Sequence, residues 1–256
     1  MAEVIAFCNS KGGVAKTSSS NAWATSLAKR GYKVLFIDLD ENGDSTFILR
    51  GTNTNNIYEV LMGRIPIQQG IQPVEHFDLI PAHEDLSDFD MEAQGSGKLL
   101  RLKTALSQLD PEAYDYIICD LPPNLEMVTL NALIAADTVI IPAQAEVLSV
   151  KRIAKMAPTL QQIKNGINPD LKIEGILLTR YDNRTTISRL VREQAKQIAE
   201  MIDTKIFDQW IRENVAVKNA QGSRMQLLDY NQRAGAAQDY EKVIDQFLKE
   251  RGKKNV

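Results

Sequence analysis

At 256 residues, 44% hydrophobic and 25% charged, the chain has enough apolar material for one large α/β core under a solvated surface. A net charge of −3 excludes a protein that is basic all over, and two cysteines exclude a disulfide framework. The charge is uneven: 15 Lys/Arg stand against 22 Asp/Glu in residues 1–179, but 15 against 11 in 180–256, so contact with a polyanion is expected in the last third.

Met-Ala-Glu leads straight into the apolar run Val4–Phe7, with no basic n-region, cleavage site or long apolar span, and a cytoplasmic location is expected. Cys8 and Cys119 lie in apolar runs, where a thiol is a small core residue. The stretch Cys8–Thr17 then reads as a strand-to-helix turn that holds phosphate. Gly12 and Gly13 allow a tight turn that brings N–H groups against an anion, and the next helix points its positive end at the same place. Lys16 supplies a mobile cation, and the Thr17 hydroxyl is placed for a magnesium ion. The standard pattern G-x-x-x-x-G-K-S/T is not met, because its glycine positions hold Ser10 and Ala15. The pattern K-G-G-x-x-K-S/T is met, with Lys11 ahead of the glycine pair.

Ser18–Arg30 reads as a helix stopped at Gly31. Lys33–Asp38 follows as a buried strand, and alternation puts Asp38 and Asp40 on the same side, at the carboxyl end where α/β sheets gather ligands. Taken alone, the two acids also fit a solvated strand end. Residues 41–57 are polar and read as a mobile surface segment; 83–98 read as an acidic loop and solvated face. Further strands are expected at Phe77–Pro81, Tyr114–Asp120, Thr138–Pro142, Ile173–Thr179 and Ile206–Ile211. Strands alternating with helices give an α/β fold, a doubly wound and mostly parallel sheet with helices on both faces. No repeat or linker divides it, so a single domain over 1–256 is expected.

The turn resembles the deviant P-loop of the ParA/MinD ATPases. Asp38–Thr46 is similar to that family's D-x-D-P-Q-G-N-A-T, Tyr114–Pro123 to its Y-D-Y-I-I-I-D-x-P-P strand and loop, and Leu178–Thr185 to its L-T-x-Y-D-x-R-T; Asn219–Gln238 tracks a further family segment. Together these point to ParA-type partition and positioning ATPases of the Soj-like kind, without an N-terminal DNA-binding domain. The resemblance implies a P-loop NTPase that binds ATP and Mg2+. Its phosphates would lie against Gly12, Gly13, Val14, Ala15, Lys16, Thr17 and Ser18, and its base near Thr179, Arg180, Ile211 and Arg212. Thr17, Asp38 and Asp120 would serve the metal, and Asp40 would orient the attacking water. Lys11 would reach across a homodimer to the partner's nucleotide. The family's biology implies slow hydrolysis stimulated by a ParB-like or adaptor protein, nonspecific DNA binding by the ATP dimer, and a nucleoid-associated location. Departures are Glu41-Asn42 for Pro-Gln, Asp44 for Asn, and Ile211-Arg212-Glu213-Asn214 where the family commonly has I-P-R-N.

In the expected helix 184–202, Ile187, Leu190, Val191, Ile198 and Ile202 form a core stripe while Arg189, Arg192 and Lys196 share another face. Three cations there would meet DNA phosphates, or make an ordinary solvated face with Glu193 and Glu200. Lys218, Arg224 and the tail cations Lys249, Arg251, Lys253 and Lys254 are further candidates. Lys151-Arg152 fit either the nucleotide and dimer seam or a solvated helix start. His76 and His83 are read as surface or capping residues, Trp23 and Trp210 as packing. A MinD-like membrane ATPase is the competing reading; the end, Val243–Glu250, fits a packed terminal helix better than a membrane-docking one.

Overall fold

The computed structural model describes residues 2–252. Seven strands form one sheet: β1 (Glu3–Phe7), β2 (Val34–Asp38), β3 (Gln72–Pro73), β4 (Asp78–Ile80), β5 (Tyr116–Asp120), β6 (Thr138–Gln144) and β7 (Lys172–Thr179). Their order is β3-β4-β2-β5-β1-β6-β7, and every pair is parallel except the antiparallel edge β3–β4. The helices, in chain order, are α1 (Lys16–Lys29), α2 (Asp44–Ile48), α3 (Ile57–Leu61), α4 (Ile67–Gly70), α5 (Phe89–Glu92), α6 (Arg101–Leu106), α7 (Met127–Ala135), α8 (Val147–Asn165), α9 (Thr186–Met201), α10 (Val215–Gly222), α11 (Leu227–Tyr230) and α12 (Gly235–Glu250).

The strands are apolar on both sides, as a sheet covered twice requires. Val4, Ala6, Leu35, Ile37 and Ile117 pack with α3, α7, α8 and α9, whereas Ile5, Phe7, Phe36, Tyr116 and Ile118 pack with α1 and α12. Trp23 centres the second core, edge-on to Phe7, Phe207 and Phe247 at 5.4, 6.4 and 6.1 Å. Arg251 ties the chain's end to the sheet through Glu3 (2.6 Å) and the buried Glu174 (3.0 Å), so it is no free cation. Lys253 and Lys254 lie outside the described residues.

Four expectations need correction. Ile206–Ile211 is not a strand; it makes only isolated bridges to β7, at Ile206 and Ile211, because the chain bends at 208–209 between them. Residues 41–57 are not a plain surface segment, since α2 forms there with Ser45 and Thr46 buried. Residues 83–98 contain short helical turns that bury Leu86 and Phe89. In α9, Ile187 and Leu190 are exposed at 51% and 52%, whereas Val191 and Ile202 of the expected stripe are buried and Ile198 packs on the core; Ser188, Ala195 and Ala199 complete the buried face. Among the described residues, no helix is long and apolar enough to cross a membrane.

Candidate functional site

At its carboxyl end β1 passes into a loop held from within by Asn9, a fully buried residue. Its Nδ2 donates to the Pro142 carbonyl (2.7 Å), and its Oδ1 accepts from Lys11 N–H (3.0 Å). Gly13 and Ala15 both take left-handed backbone, at φ +75° and +66°. Ala15 therefore adopts, with a Cβ attached, a conformation suited to glycine, at a cost of about 1–2 kcal/mol. It immediately precedes α1, which begins at Lys16, two residues earlier than its sequence suggests.

Lys16 is 6% exposed, and its Nζ donates to the Lys11 carbonyl (3.3 Å). Burial lowers its pKa, and the charge of Asp120 works against that shift. Val14 is buried and its carbonyl accepts from the Thr179 hydroxyl (3.0 Å). Thr179 thus acts on the loop's backbone. Lys11 turns to its own chain, where its ammonium meets Glu146 and Gln144 Oε1 (3.3 Å).

Asp38 and Asp120 are register partners on adjacent strands and both are fully buried. Asp38 Oδ2 accepts from the Thr46 N–H and hydroxyl, each at 2.7 Å, and Asp120 Oδ2 accepts from the Ser45 hydroxyl (2.8 Å). Burial raises both carboxyl pKa values. At Asp38 the neighbouring charge of Asp120 adds to the rise; at Asp120 the hydroxyls of Ser45 and Thr17 oppose it. Asp120 Oδ1 is buried with no hydrogen-bond partner among the described residues. An orphaned carboxylate oxygen beside a second carboxylate and the Thr17 hydroxyl is an all-oxygen donor set, which fits a hard divalent cation such as Mg2+. Asp40 lies past the end of β2, so strand alternation does not place it. It faces the cleft instead, its Oδ1 accepting from Asn42 N–H (3.1 Å) and Nδ2 (2.8 Å).

A cleft of about 400 Å3 runs over this loop. It is lined by Gly12, Gly13, Ala15, Lys16, Thr17, Ser18 and Asp40 from the loop side and by Thr179, Arg180, Ile211, Arg212 and Glu213 from the end of β7 and the segments that follow it. Lys11, Val14, Asp38 and Asp120 stand behind or beside it. Glu146 was given no role by the sequence, and Asn9 and Ser45 were covered only as members of quoted stretches, since Pro142, Asp120 and Lys11, the partners of Asn9, Ser45 and Glu146, lie 75 or more residues away. Thr46 was marked only as part of a family motif.

The chain matches the AAA domain family over residues 2–173. It is 40% identical to the chromosome partitioning protein ParA of Myxococcus xanthus across 78% of this chain and 74% of that protein. It is 34% identical to the chromosome-partitioning ATPase Soj of Thermus thermophilus, across 95% and 94%. The chain belongs to the ParA family of partitioning ATPases. Its structure is also similar to that of cobyrinic acid a,c-diamide synthase from Mycobacterium smegmatis with bound ADP and magnesium (TM-score 0.85, 31% identity, covering 98% of this chain and 96% of that one).

The cations of this ParA-family chain do not share one free face. Arg189 and Lys196 are exposed, with Lys196 paired to Glu193 (2.7 Å). Arg192 is half-buried, its guanidinium 5.4 Å from the centre of the Trp210 ring. Lys218 lines the cleft. Arg224 stacks on Phe47 at 4.4 Å and donates to its carbonyl (3.0 Å). Lys151 and Arg152 are exposed in the first turns of α8. His83 caps a helical turn by accepting from Asp85 N–H (3.3 Å). His76 Nε2 lies 3.0 Å from both Asp229 oxygens, with Glu75 beside them, but Lys29 already pairs with Asp229.

Proposed function

We propose that this ParA-family ATPase is a dimerising switch that binds nonspecific DNA in its ATP state and hydrolyses ATP to segregate or position a large cargo. The observation that carries the reading is a phosphate loop whose Lys16 and Thr17 line the cleft, backed by a buried carboxylate pair with an orphaned oxygen. Lys16 and the 12–17 backbone neutralise the β and γ phosphates, while Thr17, Asp38 and Asp120 hold Mg2+, which supplies charge for the leaving phosphate. Asp40 orients the attacking water. Lys11 leaves Glu146 and enters the partner copy's site, so the site is complete only in the dimer.

The γ-phosphate favours the dimer and hydrolysis removes the contacts that held it, which makes slow turnover a timer. A ParB-like or adaptor protein that stimulates hydrolysis resets it. DNA contact falls to Arg189 and Lys196, with Lys218 contributing charge without reading bases. The protein then works in the cytoplasm on the nucleoid.

The test is retardation of arbitrary duplex DNA at low salt. Retardation is expected with ATP, to be lost in Lys11→Ala and Lys16→Ala, and to persist after ATP is chased in Asp40→Ala. Wild-type protein that ignores DNA with ATP present contradicts the proposal. Tight, ATP-dependent pelleting with liposomes would favour a membrane-docking role instead.

A further inference from the structure

The turn between β3 and β4 meets α11 in a polar contact that the nucleotide cleft does not use. Glu75 and His76 stand in the turn, which Val74 N–H closes on the Phe77 carbonyl (2.9 Å), and Asp229 stands in α11. His76 Nε2 lies 3.0 Å from each Asp229 oxygen. The exposed Glu75 carboxylate makes no hydrogen bond or ion pair among the described residues, and one ligand atom from each of the three residues lies within 4.8 Å of the others. The His76 and Asp229 side chains are only 23% and 13% exposed, so the group is shielded from much of the water that would compete for it. A cation already rests on it: Lys29, the last residue of α1, sets Nζ 2.5 Å from Asp229 Oδ1 and donates to the Leu228 carbonyl (3.0 Å).

We propose that Glu75, His76 and Asp229 bind a divalent transition metal of the zinc kind, which ties the β3–β4 turn to α11. An imidazole with two carboxylates suits zinc, whereas Mg2+ prefers oxygen alone, so this group and the acid pair beside the cleft take different ions. Zinc holds such ligands at about 2.0–2.2 Å in a tetrahedron, which sets the ligand atoms roughly 3.3–3.5 Å apart. The His76–Asp229 contact therefore needs little opening, and the exposed Glu75 is free to swing in. Nε2 gives its lone pair to the ion while the ring proton sits on Nδ1. Asp229 coordinates through Oδ2 and leaves Oδ1 to Lys29, which orients the carboxylate from behind as an outer partner does. Two carboxylates outweigh that one ammonium, so a cation is still attracted. Glu75 also lines a cavity of about 480 Å3, which gives the ion a path from solvent and room for a water as fourth ligand. Since α11 follows α10, whose Val217, Lys218 and Gln221 line the nucleotide cleft, the metal fixes the segment behind that wall.

Equilibrium dialysis of the full chain against Zn2+, with Mg2+ in excess and no nucleotide, tests the site. Wild type is expected to retain one zinc ion per chain and to melt at a higher temperature with it. His76→Gln keeps a donor for Asp229 but loses the ring; it should fold, weaken zinc binding at least about tenfold and lose the shift in melting temperature. Lys29→Ala removes the competing charge and should tighten zinc by about threefold, the worth of one partly exposed ion pair. The chain has only two histidines and its two cysteines are buried, so zinc should shift the imidazole NMR signals of His76 and leave those of His83 in place. A wild type that retains no zinc, a folded His76→Gln that binds it as tightly, zinc-induced shifts at His83 instead of His76, or a Lys29→Ala protein that binds it no better overturns the proposal.

Discussion

Ala15 is the residue at which the phosphate loop departs from the standard pattern, and its φ of +66° shows what the departure costs. The left-handed strain of about 1–2 kcal/mol exceeds the roughly 0.4–1 kcal/mol by which glycine favours the unfolded chain. Ala15→Gly should therefore stabilise the protein by roughly 0.5–1 kcal/mol in denaturant titration; a loss of stability would show that the alanine methyl packs favourably. Asp38 makes the opposite kind of demand. Its carboxyl is raised by burial and by Asp120, so the folded chain keeps a proton that the unfolded chain gives up above its ordinary pKa of about 4. Without Mg2+, stability is full below that pH and falls as pH rises, by up to about 1.4 kcal/mol for each unit until the folded group itself ionises. Asp38→Asn should flatten this decline in thermal melts from pH 5 to 8, and Mg2+ should rescue wild type more than the variant. Parallel pH profiles would contradict the assignment.

At the level of elements, α9 separates cations that the sequence presents as equals. Arg192→Ala should cost about 1 kcal/mol of stability, because its guanidinium covers Trp210. Arg189→Ala should leave the melting temperature unchanged, weaken ATP-dependent DNA binding and lower the salt slope by about one. Equal effects of the two substitutions on DNA would restore the three-cation face. The five long parallel strands and α1 were legible because each is a run of apolar residues or ends at a glycine. The two-residue β3 and the five-residue α2 carry too little pattern to be read. What holds α2 is a pair of hydroxyls bonded to carboxylates on β2 and β5, and in Ile206–Ile211 apolar composition survives a bend that ends pairing. The phosphate loop was legible because it is contiguous in the chain. The lining contributed after β7 was named only by resemblance, since its ion pairs join 180 to 213 and 212 to 239.

Across the whole molecule, the phosphate loop, the acids and the starts of α1, α8 and α9 gather at the carboxyl ends of the parallel strands, because every strand but β3 runs the same way. That side also presents Lys11, which a single copy holds on its own Glu146 and Gln144. Among the described residues the Lys11 ammonium bonds only Glu146 and Gln144, and the proposed switch gives it a task when a second copy arrives. Sedimentation velocity with saturating ATP and Mg2+ tests this most directly, using Asp40→Ala to hold the ATP state, with and without a second change at Lys11. Asp40→Ala is expected to be a dimer and to become a monomer once Lys11→Ala is added, with both remaining monomers in ADP. An Asp40→Ala protein that stays monomeric with ATP, or a dimer indifferent to Lys11, would contradict it.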